Sequence, residues 1–280
     1  MLTLILALFA ASGTFCTARF GFDAGAGWSA FWAIAGFLAV QAGLSFYFMR
    51  KVKADTAVVQ GIIVSGGKAA EAKMRMWQFR PPGSMKEAQR IIEADMAENV
   101  RKALEETKRL DKYRPWVMMF SRQIATMKLH LHWMIKDFAA VDELMPKALI
   151  LDPASYAMKM ARLYMLDAKT EEIEKVYAKA TARTRYNQNV IPAACMSWIL
   201  VKRAEKATDP NEREVLSDKA FKVLGDALKK SDNETLKRNH ELLMNNRLVQ
   251  FNNSGLGDQW YTLHLETPKM KTQRQRAVYR

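Results

Sequence analysis

The side chains best suited to chemistry are few, and they lie far apart in the chain. His130 and His132 are two positions apart in a helical segment, so they point to different faces and cannot bind one metal ion together. Cys16 and Cys195 do not make a disulfide framework. The run SGGK at residues 65–68 lacks the spacing and the preceding strand of a phosphate-binding loop. The sequence therefore predicts no catalytic residue, no metal site and no cofactor, and we do not expect an enzyme.

Two uncharged apolar stretches near the start of the chain are the clearest elements. They cover residues 2–17 and 28–49, and neither carries a charged side chain. A helix needs about 20 such residues to cross the hydrocarbon of a bilayer. The second stretch meets this length, whereas the first falls short of it, and two interpretations stay open for the first. It is either a retained span, which makes a transmembrane hairpin with the second, or a cleaved signal peptide or interfacial helix.

The distribution of basic residues orients this anchor. Arg50, Lys51 and Lys53 follow the second stretch directly, whereas the connection at 18–27 holds one Arg and one Asp. Basic residues concentrate on the cytoplasmic side of membrane spans. We therefore expect an integral membrane protein of the bacterial inner-membrane type, with the bulk of the chain cytoplasmic and these three cations at the membrane surface. The net charge of +14 suits an anionic leaflet or an acidic protein partner, and nucleic acid is not an expected partner.

Helix-forming residues dominate after residue 51, with breaks mainly at proline and glycine, which predicts an all-α fold. Residues 56–79 continue the second span as a helix that we expect to be weakened at Gly66 and Gly67. Its mixture of basic, Met and aromatic residues suits either a lipid surface or a domain core. Ser84 and Glu87 have the spacing of a capping box at the start of the next helix.

Residues 154–181 divide into two helices about a turn at 167–170, with small and aromatic residues at helical spacing. This spacing resembles the tetratricopeptide repeat, a helix–turn–helix unit that recurs along the chain. A preceding copy ends at Pro153, and there we expect Pro146 to kink the second helix. A looser third copy has 195–206 as its first helix and about a dozen residues inserted around 209–217. The matching positions are Met160, Ala161, Tyr164, Ile173, Tyr177 and Ala180 in the middle copy, Phe138, Val141, Met145 and Ala148 in the preceding copy, and Ala220, Leu224 and Ala227 in the third copy.

The resemblance implies an α-solenoid of helix pairs after the two transmembrane helices, whereas periodicity alone is also satisfied by a plain antiparallel bundle. The expected parts are the hairpin (1–50), juxtamembrane amphipathic helices (51–118), repeats (119–250), a capping segment (251–268) and a basic tail (269–280). The tail suits lipid, an acidic partner surface or solvent.

If the resemblance holds, the first helix of each repeat supplies a concave face that binds a peptide. Cations on that face would bind carboxylates, and Met and Trp would adapt to apolar side chains. The alternative for each of these residues is an ordinary solvated helix face. The candidates are Gln123, Thr126, His130 and Trp133 in the first copy, and Ser155, Met158, Lys159, Arg162 and Met165 in the middle copy.

Three functional hypotheses follow from these patterns. The first is a membrane-anchored adaptor or scaffold that recruits partner proteins, among them acidic peptides, at the cytoplasmic face. The second is an accessory subunit of a larger membrane complex, packed on other subunits through Ala35, Gly36, Ala39 and Gly43. The third, and least expected, is an enzyme of unrecognised type.

Overall fold

The computed structural model describes residues 2–77, 83–183 and 188–267, and within these ranges the chain is helical without a β-strand. The expected all-α class is therefore confirmed for the described residues. The chain divides into two compact units, Met1–Leu149 and Ile150–Arg280. The expected boundary at residue 50 lies inside one helix of the first unit.

The first unit begins with a helical hairpin. Helix α1 (Leu2–Cys16) continues through a π-helical turn (Thr17–Gly21), and helix α2 (Ala26–Trp77) packs against it. The turn extends the first apolar segment to 20 residues, and both segments are long and apolar enough to cross a membrane. The two helices approach closely at Gly36, where a Cβ atom would come within 2.8 Å of the Thr14 side chain. The close contact at Gly36 is therefore made within the hairpin, and not with another subunit as the second hypothesis expected.

Helix α2 is a single helix of 52 residues, in contrast to the expected weakening at Gly66 and Gly67. At a rise of about 1.5 Å per residue it is about 78 Å long. Gly66 is buried against helix α3 (Met85–Glu106), where a Cβ atom would lie 2.7 Å from Asn99 Nδ2. The glycine therefore permits a close helix contact, and the hydrogen bonds of a long helix with packed neighbours outweigh its low helix propensity.

Helix α3 and two further helices complete the first unit. Ser84 Oγ accepts a hydrogen bond from the Glu87 amide at 3.2 Å, which confirms Ser84 as the N-cap of α3, the first half of the predicted capping box. A 3₁₀ segment (Thr107–Tyr113) leads to α4 (Phe120–Met134) and α5 (Phe138–Leu144). The chain leaves the helical path before Pro146, so this proline ends a short helix instead of kinking a long one. Buried clusters join α2 to α3 and α4 through Val59, Val100, Ala103 and Leu131, and join the 3₁₀ segment to α4 through Leu110, Tyr113, Phe120 and Ile124.

The second unit contains helices α6 (Pro153–Met165), α7 (Thr170–Arg183), α8 (Val190–Lys206), α9 (Pro210–Leu228), α10 (Glu234–Met244) and the short α11 (Asp258–Tyr261). The predicted turn at 167–170 is confirmed between α6 and α7. Helix α8 is the central element, because most of its residues from Pro192 to Val201 are buried. Helix α9 begins at Pro210, so the residues expected as an insertion form its first turns. Stacking of these pairs into a superhelix stays a prediction.

The segment after α10 lies against α8 and α10. Asn253 is fully buried and donates from Nδ2 to the Ala194 carbonyl oxygen at 3.0 Å, while its Oδ1 accepts from Asn239 Nδ2 at 2.7 Å. The expected basic tail at 269–280 lies outside the described residues.

Candidate functional site

The start of α1 is fastened to the helical part of the first unit. The Leu2 amide donates to the Pro115 carbonyl oxygen at 2.9 Å, and Thr3 Oγ1 donates to the Trp116 carbonyl oxygen at 3.0 Å. The Trp116 ring stacks on Phe48 of α2, with ring centroids 4.6 Å apart. The first residues of the chain are therefore integrated into the folded unit.

The hairpin directs most of its large apolar side chains away from the protein. Phe9 is 72% exposed and Phe20 is 81% exposed. Soluble monomers rarely carry so wide an exposed apolar surface. The other exposed side chains include Leu8, Phe22, Trp28, Phe31, Trp32, Ile34, Leu38 and Phe46.

The three cations that follow the second apolar stretch along α2 are exposed. Arg50, Lys51 and Lys53 make no ion pair with any other described residue, and the Lys51 ammonium lies 5.9 Å from the centroid of the Tyr47 ring. Asp55, one turn further along α2, instead binds Lys112 Nζ at 2.9 Å. That hydrogen bond, with a second one from the Tyr113 hydroxyl, lowers the pKa of the Asp55 carboxyl against the opposing effect of burial.

A cavity of about 340 Å³ lies at the base of the hairpin between α1, α2 and the start of α4. Most of its lining is apolar, and Gln41 and Ser45 contribute polar groups. Gln41 Nε2 donates to Ser45 Oγ at 3.4 Å, whereas Gln41 Oε1 is buried without a hydrogen-bond partner in the described part of the chain. The amide is thus only partly satisfied within the hairpin.

The four partner-binding candidates of the first repeat copy do not form an exposed face. Gln123 is exposed and lines the hairpin-base cavity, and His130 is half-buried. The Thr126 hydroxyl is engaged internally, since it accepts from the Leu149 amide at 2.8 Å. Trp133 is buried with its ring edge against Phe138, which corrects its expected exposure: the large apolar ring completes the α4–α5 contact.

In the middle copy, two of the five candidate residues are likewise buried instead of exposed. Ser155 is buried, and its amide and hydroxyl both donate to the Asp152 carboxylate that caps α6, at 2.8 and 2.7 Å. Met158 is also buried, so neither residue lies on an exposed binding face. Lys159, Arg162 and Met165 are half-buried and keep part of their surface accessible.

The second unit has a basic groove that the sequence analysis missed. This α7–α9 groove has a volume of about 450 Å³ and lies between α7, α8 and α9. Four lysines and two acids line it, so cations are in excess. Lys219 pairs with Glu174 at 2.8 Å and Lys229 pairs with Asp226 at 2.8 Å. Lys222 and Lys230 are exposed and make no ion pair with another described residue. The lining residues are Glu174, Tyr177, Thr181, Asn189, Met196, Leu200, Lys219, Lys222, Val223, Asp226, Lys229 and Lys230.

A buried amide also lines the α7–α9 groove. Asn189 is only 4% exposed, and its Nδ2 donates to the Tyr177 hydroxyl at 3.4 Å. Asn189 Oδ1 is buried and has no hydrogen-bond partner among the residues that the structure describes. The Tyr177 hydroxyl, like any tyrosine hydroxyl, is protonated at neutral pH, and burial raises its pKa further. In the sequence, the one pattern that could have indicated this groove was the spacing of the four lysines, which places them on neighbouring faces of α9 and just after its end.

Other groups that could take part in chemistry are metal-binding side chains and the Cys195 thiol. No cluster of three metal-binding side chains occurs among residues 2–77, 83–183 and 188–267. Cys195 is fully buried, and burial raises the pKa of its thiol, which suppresses the nucleophilic thiolate. The chemistry available at the α7–α9 groove is therefore hydrogen bonding and charge attraction.

Comparison of the chain with family models, with curated proteins and with solved structures finds no significant match. The resemblance to the tetratricopeptide repeat receives no support from these comparisons and stays a prediction.

Proposed function

We propose that the protein is a membrane-anchored helical adaptor, which holds its second unit at the cytoplasmic face of a membrane and recruits a partner protein there. The observation that carries the anchor is the hairpin. Its large apolar side chains face outward, while its first residues are hydrogen-bonded to the rest of the unit. A signal peptide is removed after translocation and does not form part of the folded protein. The two hydrogen bonds to the rest of the unit therefore favour a retained span.

The recruiting role is supported by the surface chemistry of the second unit. The α7–α9 groove offers two lysines and one buried amide oxygen that have no partner among the described residues, and these groups suit recognition rather than catalysis. The positive-inside bias of Arg50, Lys51 and Lys53 favours the cytoplasmic orientation.

The anchor is tested on protein extracted from native membranes. Intact-mass measurement should find residues 1–25 still attached, and alkaline washing should leave the protein in the membrane pellet. Replacing Thr3 with valine should leave the chain uncleaved but loosen the start of α1, since one hydrogen bond worth about 1 kcal/mol is lost. Ser12→Ala is the matched control, because Ser12 Oγ donates only to the Leu8 carbonyl oxygen of its own helix. A cleaved amino terminus or a freely soluble protein would refute the anchor.

The recruiting role is tested by photo-cross-linking in intact membranes. A photoreactive amino acid at position 223, inside the groove, should attach a specific protein, whereas the same group at Lys175 on the exposed side of α7 should attach less. Failure to attach any protein from either position in membranes would count against an adaptor.

The accessory-subunit hypothesis is favoured by one further observation. Ala39 and Gly43 are exposed on α2, and a Cβ atom added at Gly43 would meet no described atom within 4 Å, which leaves room for another span. A native-size measurement in mild detergent separates the two functions, because a subunit would run only as part of a large assembly.

A further inference from the structure

We propose that the α7–α9 groove binds an acidic peptide segment of the partner in an extended conformation. This inference rests on the proposed recruiting function and specifies the chemistry of the bound partner. It differs from the repeat-based expectation, which placed the binding residues on α4 and α6.

The charge of the groove selects an anionic ligand. Lys219 and Lys229 each neutralise one acid of the lining, whereas Lys222 and Lys230 carry charge that no described residue neutralises. Lysine amines attract carboxylates as flexible point charges. An acidic segment therefore gains from the groove, and a basic one is repelled.

The buried amide separates a peptide from a simple anion. Asn189 Oδ1 is an acceptor without a donor in the described part of the chain, and a buried unpaired acceptor is unfavourable. Exchanging the positions of the amide oxygen and nitrogen would let the Tyr177 hydroxyl donate to the oxygen and leave the NH₂ group unpaired instead. In both orientations either the oxygen or the nitrogen of the Asn189 amide lacks a hydrogen-bond partner among the described residues. A peptide backbone can pair with the amide in either orientation, because it offers both N–H donors and C=O acceptors. A carboxylate or phosphate dianion offers acceptors only, so it can pair with the amide only in the exchanged orientation.

The Tyr177 hydroxyl adds a second polar contact at the same place. It accepts from Asn189 and keeps its own proton, which it can donate to a peptide carbonyl oxygen or a carboxylate. The apolar side chains of Met196, Leu200 and Val223 line the rest of the groove. A volume of about 450 Å³ lies within the usual range of ligand pockets.

The experiment uses the full chain in nanodiscs of zwitterionic phosphatidylcholine, so that anionic lipid does not compete. The probe is a fluorescent, end-blocked peptide with four Glu-Ala repeats, and its binding is measured by fluorescence anisotropy. Lys222→Gln and Lys230→Gln should each weaken binding about two- to fivefold, as expected for exposed charge pairs, and their combination should multiply these losses. The double variant Lys175→Gln/Lys179→Gln removes two exposed charges of α7 outside the groove and should change binding less than about twofold.

The backbone contact is tested without changing the protein. In the orientation that the structure shows, Asn189 Oδ1 requires a donor. The same peptide with N-methylated backbone amides keeps its charges but loses its donors, so it should bind about tenfold more weakly. Asn189→Leu should abolish this difference between the two peptides. If that variant is unfolded, the two lysine variants and the methylated peptide still decide the question.

Three results would overturn the proposal. They are equal binding of the peptide by the Lys222→Gln/Lys230→Gln variant and wild type, equal binding of the methylated and unmethylated peptides, and displacement of the peptide by phosphatidylglycerol vesicles or inorganic polyphosphate at matched charge. The last result would identify a general anion or lipid surface. If the lysine double variant still cross-links the cellular partner, the groove proposal fails while the adaptor role stands. If no partner exists, the peptide measurement on purified protein still judges the groove.

Discussion

Adding one methyl group at Gly66 tests the close contact between α2 and α3. A Cβ atom there would lie 2.7 Å from Nδ2, 2.9 Å from Cγ and 3.1 Å from Cβ of Asn99. A rotamer change of Asn99 could move its Nδ2 and Cγ atoms but not its Cβ atom, so the 3.1 Å contact would persist unless the helices move apart. Gly67→Ala is the matched control, because its Cβ atom would meet no described atom within 4 Å.

The two substitutions share one effect and differ in another. Both replace glycine in a helix with alanine, which stabilises the helix by up to about 1 kcal/mol. Only Gly66→Ala adds the cost of overpacking, typically about 1–3 kcal/mol. The two variants should therefore differ by about 1–3 kcal/mol in their free energy of unfolding. For a unit of roughly 150 residues this corresponds to a difference in Tm of roughly 2–12 °C.

Thermal unfolding of the full chain in detergent micelles, followed by circular dichroism, measures the difference. The double variant Gly66→Ala/Asn99→Ala should recover part of the lost stability, because it removes the two nearest atoms and leaves only the 3.1 Å contact. If Gly66→Ala and Gly67→Ala unfold at the same temperature, α2 and α3 do not approach each other at residue 66, and the assignment of Gly66 is wrong.

Two further predictions concern half-buried carboxylates. Glu266 accepts hydrogen bonds from the indole nitrogens of Trp198 and Trp260 at 2.8 and 2.7 Å. Glu266→Leu should therefore lower the free energy of unfolding by about 2–4 kcal/mol, measured by tryptophan fluorescence during a denaturant titration. An unchanged midpoint of unfolding would contradict this prediction. Because Lys112 lowers the pKa of the Asp55 carboxyl, this pair should stabilise the fold above the ordinary pKa of about 4 and lose that effect as the pH falls through the lowered value. The stability difference between wild type and Asp55→Asn should therefore be constant above about pH 5 and shrink below about pH 4, and a difference that grows toward low pH would refute it.

The parts of the fold that depend on local sequence were predictable. An uncharged stretch, the Ser84–Glu87 spacing and the turn at 167–170 act over a few residues, so composition and periodicity reveal them. Long-range packing is different. Gly66 was interpreted as a weak point because glycine has a low helix propensity, but its role depends on Asn99, a contact that no local pattern announces.

The candidate site illustrates the same limit. The resemblance to the tetratricopeptide repeat implied an exposed face for Ser155 and Trp133, whereas both are buried, Ser155 beside the Asp152 cap and Trp133 against the Phe138 ring. The α7–α9 groove was missed because Asn189 and Lys222 come together only through the packing of α7, α8 and α9. Only the lysine spacing on α9 was available beforehand, and lysines at helical spacing are usually just solvated.

The continuity of α2 has a mechanical consequence. If residues 28–49 cross the bilayer, residues 50–77 extend the same rod by about 42 Å without a hinge. Tilt, rotation or vertical displacement of the part of α2 inside the bilayer is then transmitted to its carboxyl-terminal end, because a helix resists bending unless proline or a local defect interrupts it. A change in bilayer thickness or curvature would therefore move residues 50–77 of α2 together with helix α3, which packs along them.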